Sequence, residues 1–137
     1  MKRSVTLPYP RAAVYHALMD PILLVGWLDI PYASTGYGPL HLFELEDWTE
    51  GAPWKIRGFI LDNVRDEGFK VEKDQVGEEM KPTLDFRLTD GEGGCVLELE
   101  SDNAYFDRTI KMFMDSRGHL RLGQILRVEM PELAKAE

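Results

Sequence analysis

Two different spacings of apolar residues divide the chain. Over residues 3–7, Val5 and Leu7 alternate with polar neighbours, the period of a half-buried strand, and Pro8 ends the run. Pro10 suits the first turn of a helix, where its missing N–H costs nothing, and Ala13, Val14, Ala17 and Leu18 then fall on one stripe at helical spacing. Asp20-Pro21 reads as an N-cap followed by a proline at the first helical position. A second, short helix is therefore predicted through Leu23, Leu24 and Trp27. Residues 29–38 combine turn formers with Tyr32 and Tyr37 and are expected to form a loop.

Alternation returns from about residue 39 to 101, with strands predicted over 40–46, 54–64, 68–76, 83–89 and 94–101 as an antiparallel meander. Leu84, Phe86 and Leu88, then Cys95, Leu97 and Leu99, mark one face of the last pair. Gly91-Glu92-Gly93-Gly94 between them offers several positions able to take φ > 0, as a hairpin requires. Helical spacing resumes after Asp102-Asn103, with Phe106, Ile110 and Phe113 on one face, and continues to Leu126 and Met130 before Pro131. Gly118 and Gly123 each cost about 1 kcal/mol relative to Ala inside a helix, so a bend or break is expected near Gly118. A chain of 137 residues supports one core: a single domain over 1–131 is expected, with 132–137 as a frayed tail.

Charge and composition then narrow the function. A formal net charge of -8 gives no general attraction to phosphate backbones or anionic membranes, so no nucleic-acid partner is expected. The single cysteine, Cys95, has no second thiol for a disulfide or a metal pair and suits a reducing compartment. No apolar run approaches the roughly 18 residues a membrane span needs, and no signal-length run follows the first residues. The expectation is a cytoplasmic protein without membrane insertion. His16, His41 and His119 lack ligand spacing, so neither a metal nor a cofactor is expected. The chain has no GxSxG, P-loop or GxGxxG motif, and its 24 carboxylates single out no acid–base pair. No catalytic residue is assigned.

The order of a strand, two short helices, a meander and a long final helix, together with the run from Ser4 to Pro21 (Ser-Val-Thr-Leu-Pro-Tyr-Pro-Arg-Ala-Ala-Val-Tyr-His-Ala-Leu-Met-Asp-Pro) and the later Trp27-Leu28, resembles the START-like, SRPBCC superfamily. The resemblance implies an α+β helix-grip, Bet v-like fold, in which a curved antiparallel sheet wraps around a long C-terminal helix. The branch most similar is that of the activators of the heat-shock protein 90 ATPase, although Gly118-His119 stands where that branch usually has Gly-Trp.

The resemblance further implies an apolar cavity between sheet and helix, binding a lipid or polyketide-like small molecule without covalent chemistry. Its walls would draw on Trp27, Trp54, Phe86, Phe106, Ile110 and Phe113, with Tyr37 at the entrance. Arg57 and Arg117 lie in partly apolar elements, where a buried cation needs an anionic partner or ligand. The plainer reading is that the aromatics fill the core and the arginines lie on the surface. Two alternatives stand beside ligand binding: a co-chaperone-like interaction domain, whose partner is a chaperone or a second copy of the chain, and a cyclase- or hydrolase-type enzyme using the same cavity. An open cavity reaching solvent near residues 29–38 would favour a ligand, and a filled interior would favour the interaction domain.

Overall fold

A computed structural model describes residues 1–38, 41–49, 51–75, 77 and 81–131. The predicted strand positions Leu40 and Val76 and the predicted tail lie outside the described residues.

Strand β1 (Lys2–Leu7) leads into α1 (Arg11–Met19) and α2 (Pro21–Leu28). The two helices are separate because Asp20 holds extended backbone between them, and its carboxylate accepts from the backbone N–H of Ile22 at 2.9 Å and of Leu23 at 3.4 Å. Pro21 needs no such partner, so the dipeptide starts a new helix as its sequence implies.

Residues 32–34, expected as loop, form an edge strand, β2 (Tyr32–Ser34), with Ala33 paired to Leu45 and turned into the core. A three-residue strand is too short for alternation to register. The meander follows as β3 (Leu42–Asp47), β4 (Trp54–Val64), β5 (Gly68–Lys73), β6 (Thr83–Gly91) and β7 (Gly94–Glu100). Strand β1 crosses to pair with β7, from Lys2 opposite Glu100 to Leu7 opposite Cys95. The sheet order is therefore β1-β7-β6-β5-β4-β3-β2, antiparallel throughout. Because α1 and α2 connect the two outermost strands, they bridge the sheet from edge to edge.

The final helix is divided. A short 3-10 turn (Ala104–Phe106) runs into α3 (Asp107–Met114), and α4 (Ser116–Glu129) begins after Asp115. The break thus comes at Asp115 and not at Gly118. Asp115 is extended (φ -70°, ψ 123°), its carboxylate accepts from the N–H of Arg117 at 2.9 Å, and His119 Nε2 donates across the corner to the Phe113 carbonyl at 2.7 Å. Orphan groups at both helix ends are satisfied, so the corner is a built feature.

Arg117 also holds the Asp115 carboxyl at about 2, below its ordinary 3.8, through side-chain and backbone hydrogen bonds. A carboxylate with a lowered pKa stabilises the fold fully above its unfolded value, and this contribution is lost as pH falls from about 4 through about 2. Acid titration followed by helical circular dichroism is expected to show loss of helix in that window, and Asp115→Asn is expected to remove this step. A step that persists unchanged in the variant would contradict the assignment.

The two glycines serve close packing. A Cβ on Gly118 would sit 3.3 Å from the Trp27 carbonyl oxygen, and one on Gly123 would sit 2.1 Å from the Tyr9 hydroxyl. An exposed helical Gly→Ala change normally gains about 1 kcal/mol. Gly123→Ala is instead expected to lose about 1–3 kcal/mol in urea unfolding, the range for overpacking, and a net gain would contradict the contact.

Candidate functional site

The space between sheet and helices contains an array of five packed rings: Trp27 of α2, Phe113 of α3, Phe86 of β6, Phe69 of β5 and Phe43 of β3. Phe113 stands edge-on to Trp27 and to Phe86, each with ring centres 5.2 Å apart. Phe86 stacks on Phe69 at 4.5 Å, and Phe43 leans on both at 5.5 and 5.9 Å. Offset and edge-to-face arrangements at these spacings are favourable for aromatic pairs. Every one of these rings is buried, as are Phe106 and Ile110 on the same side.

The array forms because the sheet's inner face alternates while the helices supply residues at their own spacing. Phe43 and Leu45, Ile56 and Ile60, Phe69 and Val71, and Leu84, Phe86 and Leu88 all turn inward, as strand period dictates. Ile110 and Phe113 lie three apart on α3 and descend onto them. Of the residues expected to line a cavity, Trp27, Phe86, Phe106, Ile110 and Phe113 converge here. Phe43 and Phe69 belong with them, and their inward alternation was the available signal. Among the described residues, Trp27 Nε1 and Thr109 Oγ1 inside this core have no hydrogen-bond partner.

The other expected site residues lie elsewhere. Trp54 is half-buried beneath the Arg108 guanidinium, 4.6 Å above its ring. Arg57 points away from the core, paired with Asp74 at 3.1 Å and with Glu44 at 4.0 Å. Its backbone N–H donates to Tyr105 Oη at 2.9 Å. Glu44, itself buried, is also held by Lys55 at 3.3 Å. Arg57 thus has its anionic partners within the chain. Arg117 is exposed at the Asp115 corner, its guanidinium donating to the Asp115 carboxylate at 2.9 Å. Tyr37 is exposed, with its hydroxyl 3.3 Å from His16 Nδ1 and its ring 6.0 Å from that of Tyr15.

Burial pushes the Cys95 thiol up to about 11, so it remains protonated at neutral pH. Burial likewise raises the phenols of Tyr15 and Tyr37. Among the described residues no cluster of His, Cys, Asp and Glu has the arrangement of a metal site, and no helix is long and apolar enough to cross a membrane.

Among the described residues, the surface carries several depressions, one of them bordered by Phe69 and Phe86. One, about 450 Å³, lies at the start of α1 beside Asp66, Asp90 and Gly94, where Arg11 bridges to Asp90 at 2.9 Å. A second, about 290 Å³, surrounds the start of β5. A third, about 350 Å³, is a groove between α2 and α4 formed by Ile22, Leu23, Gly26, Gln124, Ile125 and Val128, with Glu129 at one end. A Cβ on Gly26 would lie 2.7 Å from Ile125 Cδ1, so the glycine lets the helices approach at the groove floor. Ile22 is 79% exposed, Val128 77% and nearby Leu120 71%. Sequence reading missed this face because Ile22 and Val128 fit the apolar content of their helices.

Comparison with known proteins supports the fold. No family model and no curated protein matches the chain. A protein of Rhodobacter sphaeroides is similar in structure at 16% identity with a TM-score of 0.69, with 90% of each chain covered. The Aha1 dimer from Colwellia psychrerythraea is similar at 12% identity and a TM-score of 0.60, over 96% of this chain and 97% of that one. Ara h 8.0201 is similar at 14% identity and a TM-score of 0.62, over 92% and 96%. The chain has the α+β helix-grip fold that its resemblance to START-like, SRPBCC proteins implies, with the C-terminal helix in two pieces.

Proposed function

We propose that this helix-grip domain is a non-catalytic interaction module that engages a protein partner through its surface, with residues 1–131 as its folded unit. The observation that carries the reading is the five-ring array. The side chains that would wall a ligand cavity pack against one another at contact spacing and are buried, so they act as core. The α2–α4 face supplies the complementary feature, a concave apolar surface of the kind that marks recognition sites. A similar fold has been solved as a dimer, the Aha1 dimer from Colwellia psychrerythraea, which supports protein association as a use of this architecture.

A second reading, binding of a lipid or polyketide-like molecule, is favoured by one observation. Trp27 Nε1 and Thr109 Oγ1 have no partner among the described residues, and buried polar groups usually find one in protein, water or ligand. On this reading Trp27, Phe86, Phe106, Ile110 and Phe113 move apart to form the wall. Thermal unfolding across a panel of long-chain fatty acids and polycyclic aromatic compounds separates the two. The interaction module is expected to show no saturable rise in Tm, whereas a saturable rise that Phe113→Ala abolishes would establish the ligand reading.

A further inference from the structure

We infer that the partner of the α2–α4 groove is a second copy of this chain, docked about a two-fold axis; the inference rests on the surface-module reading above. The face is apolar at its centre and carries opposite charges at its ends. Helices α2 and α4 run antiparallel, as Trp27 lies beside Gly118, Gly26 beside Ile125, and Ile22 with Val128 at the far end. Arg121 marks the first end, its Nε donating to the Trp27 carbonyl at 3.0 Å, and Glu129 marks the other.

Arg121 and Glu129 lie two turns apart on α4, with Gln124 and Ile125 midway between them. In an isologous contact each residue meets the image of another on the same patch. An axis beside Gln124 and Ile125 sets α4 antiparallel to its copy and places Arg121 of each chain against Glu129 of the other. The same operation lays Ile22 and Val128 of each copy over the Arg121 end of the other, so both are covered in the contact. Arg127 lies two residues from Ile125 on α4, about 160° around the helix at the 100° per residue of an α-helix, and so stays outside the contact. The pairing is complementary in charge as well as shape, which fixes register and suppresses wrong arrangements.

The size of the face sets the strength. Helix α4 has 14 residues, about 21 Å at 1.5 Å per residue. A footprint two helices wide is then roughly 400 Å², about half of what a standard stable interface buries on each partner. Each copy also carries a net charge of -8, and the resulting repulsion is screened beyond about 8 Å at physiological salt. The expected dimer is weak and depends on concentration.

Sedimentation velocity of the full chain in 0.15 M salt, from about 5 µM to about 1 mM, a range spanning micromolar dissociation, reads this directly. The mass is expected to rise from the 15.7 kDa of the chain towards twice that value. Ile22→Asp and Val128→Asp should remain monomeric throughout. Glu129→Arg should weaken association at least about tenfold, because both charge pairs change together, and the double variant Arg121→Glu/Glu129→Arg should regain it. Circular dichroism checks that each variant is folded. A chain that stays monomeric to 1 mM, a dimer that survives Ile22→Asp and Val128→Asp, or a folded double variant that does not regain association would each overturn the inference. The surface-module reading fails by a different result, a saturable apolar ligand, which sedimentation does not register.

Discussion

Replacing Phe113 by Ala is expected to lower the unfolding free energy by about 3–5 kcal/mol, the range for removing a ring from a packed core. The size follows from what the ring touches. Phe113 is fully buried and meets Trp27 on one side and Phe86 on the other, both edge-on at 5.2 Å. It also lies in the last turn of α3, just before the Asp115 corner, whose His119 bond anchors on the Phe113 carbonyl. The neighbouring rings are held by α2 and β6 and cannot close the gap, so truncation forfeits both transfer energy and packing. A phenylalanine lining an open cavity would already lack neighbours on one side, and its loss would fall below about 2 kcal/mol. Denaturant unfolding separates the two values. The packed-core account also expects benzene or indole to restore part of the variant's stability, because apolar cavities of this kind stay dry and accept such molecules.

Gly68→Ala is expected to lose about 3 kcal/mol or more, from two sources that add. The residue has φ +140°, where a side chain is strained, at a cost of about 1–3 kcal/mol. Its new Cβ would stand 2.0 Å from the carbonyl oxygen of Phe86 and 3.1 Å from the Cα of Arg87. Overpacking against backbone adds about 1–3 kcal/mol or more, since neither strand can yield as a flexible side chain does. The clash would push β5 from β6 at the place where Phe69 stacks on Phe86. Gly93→Ala is the control: that residue has φ +73° with no atom within 4 Å of a new Cβ, so only conformational strain of about 1 kcal/mol is expected. Equal losses for the two substitutions would contradict the steric argument.

The parts of this fold that could be read in advance are those written in local pattern. Asp20-Pro21 separates α1 from α2 by a cap and a proline, both local devices, and β4 covers residues 54–64 because alternation over that length leaves little ambiguity. Edge strand β2 was hidden because only Ala33 of its three residues turns inward. The corner of the final helix was placed three residues late. Gly118 drew the expectation through its helix propensity, yet its role is to let Trp27 approach, which is tertiary. Asp115-Ser116 carried the actual signal, an N-cap inside an apparently continuous helical pattern.

The candidate site was legible to the same extent and for the same reason. Periodicity identified Trp27, Phe86, Ile110 and Phe113 as inward-facing, but not whether inward-facing rings meet one another or leave space between them. That depends on the distance between sheet and helices, and no local pattern encodes it. Arg57 stands out in sequence for its partly apolar surroundings, and the plainer surface reading is the one its pairing with Asp74 and Glu44 fits. The α2–α4 groove arises only when two helices distant in sequence pack side by side, so Ile22 and Val128 read as ordinary apolar residues until the fold joined them.

The proposal that this domain acts through its exterior is tested most directly by native mass spectrometry of the freshly purified chain. The account predicts the bare 15.7 kDa mass with a concentration-dependent dimer and no small-molecule adduct, before and after incubation with fatty acids. A stoichiometric apolar adduct that survives gentle desolvation and disappears in Phe113→Ala would contradict it.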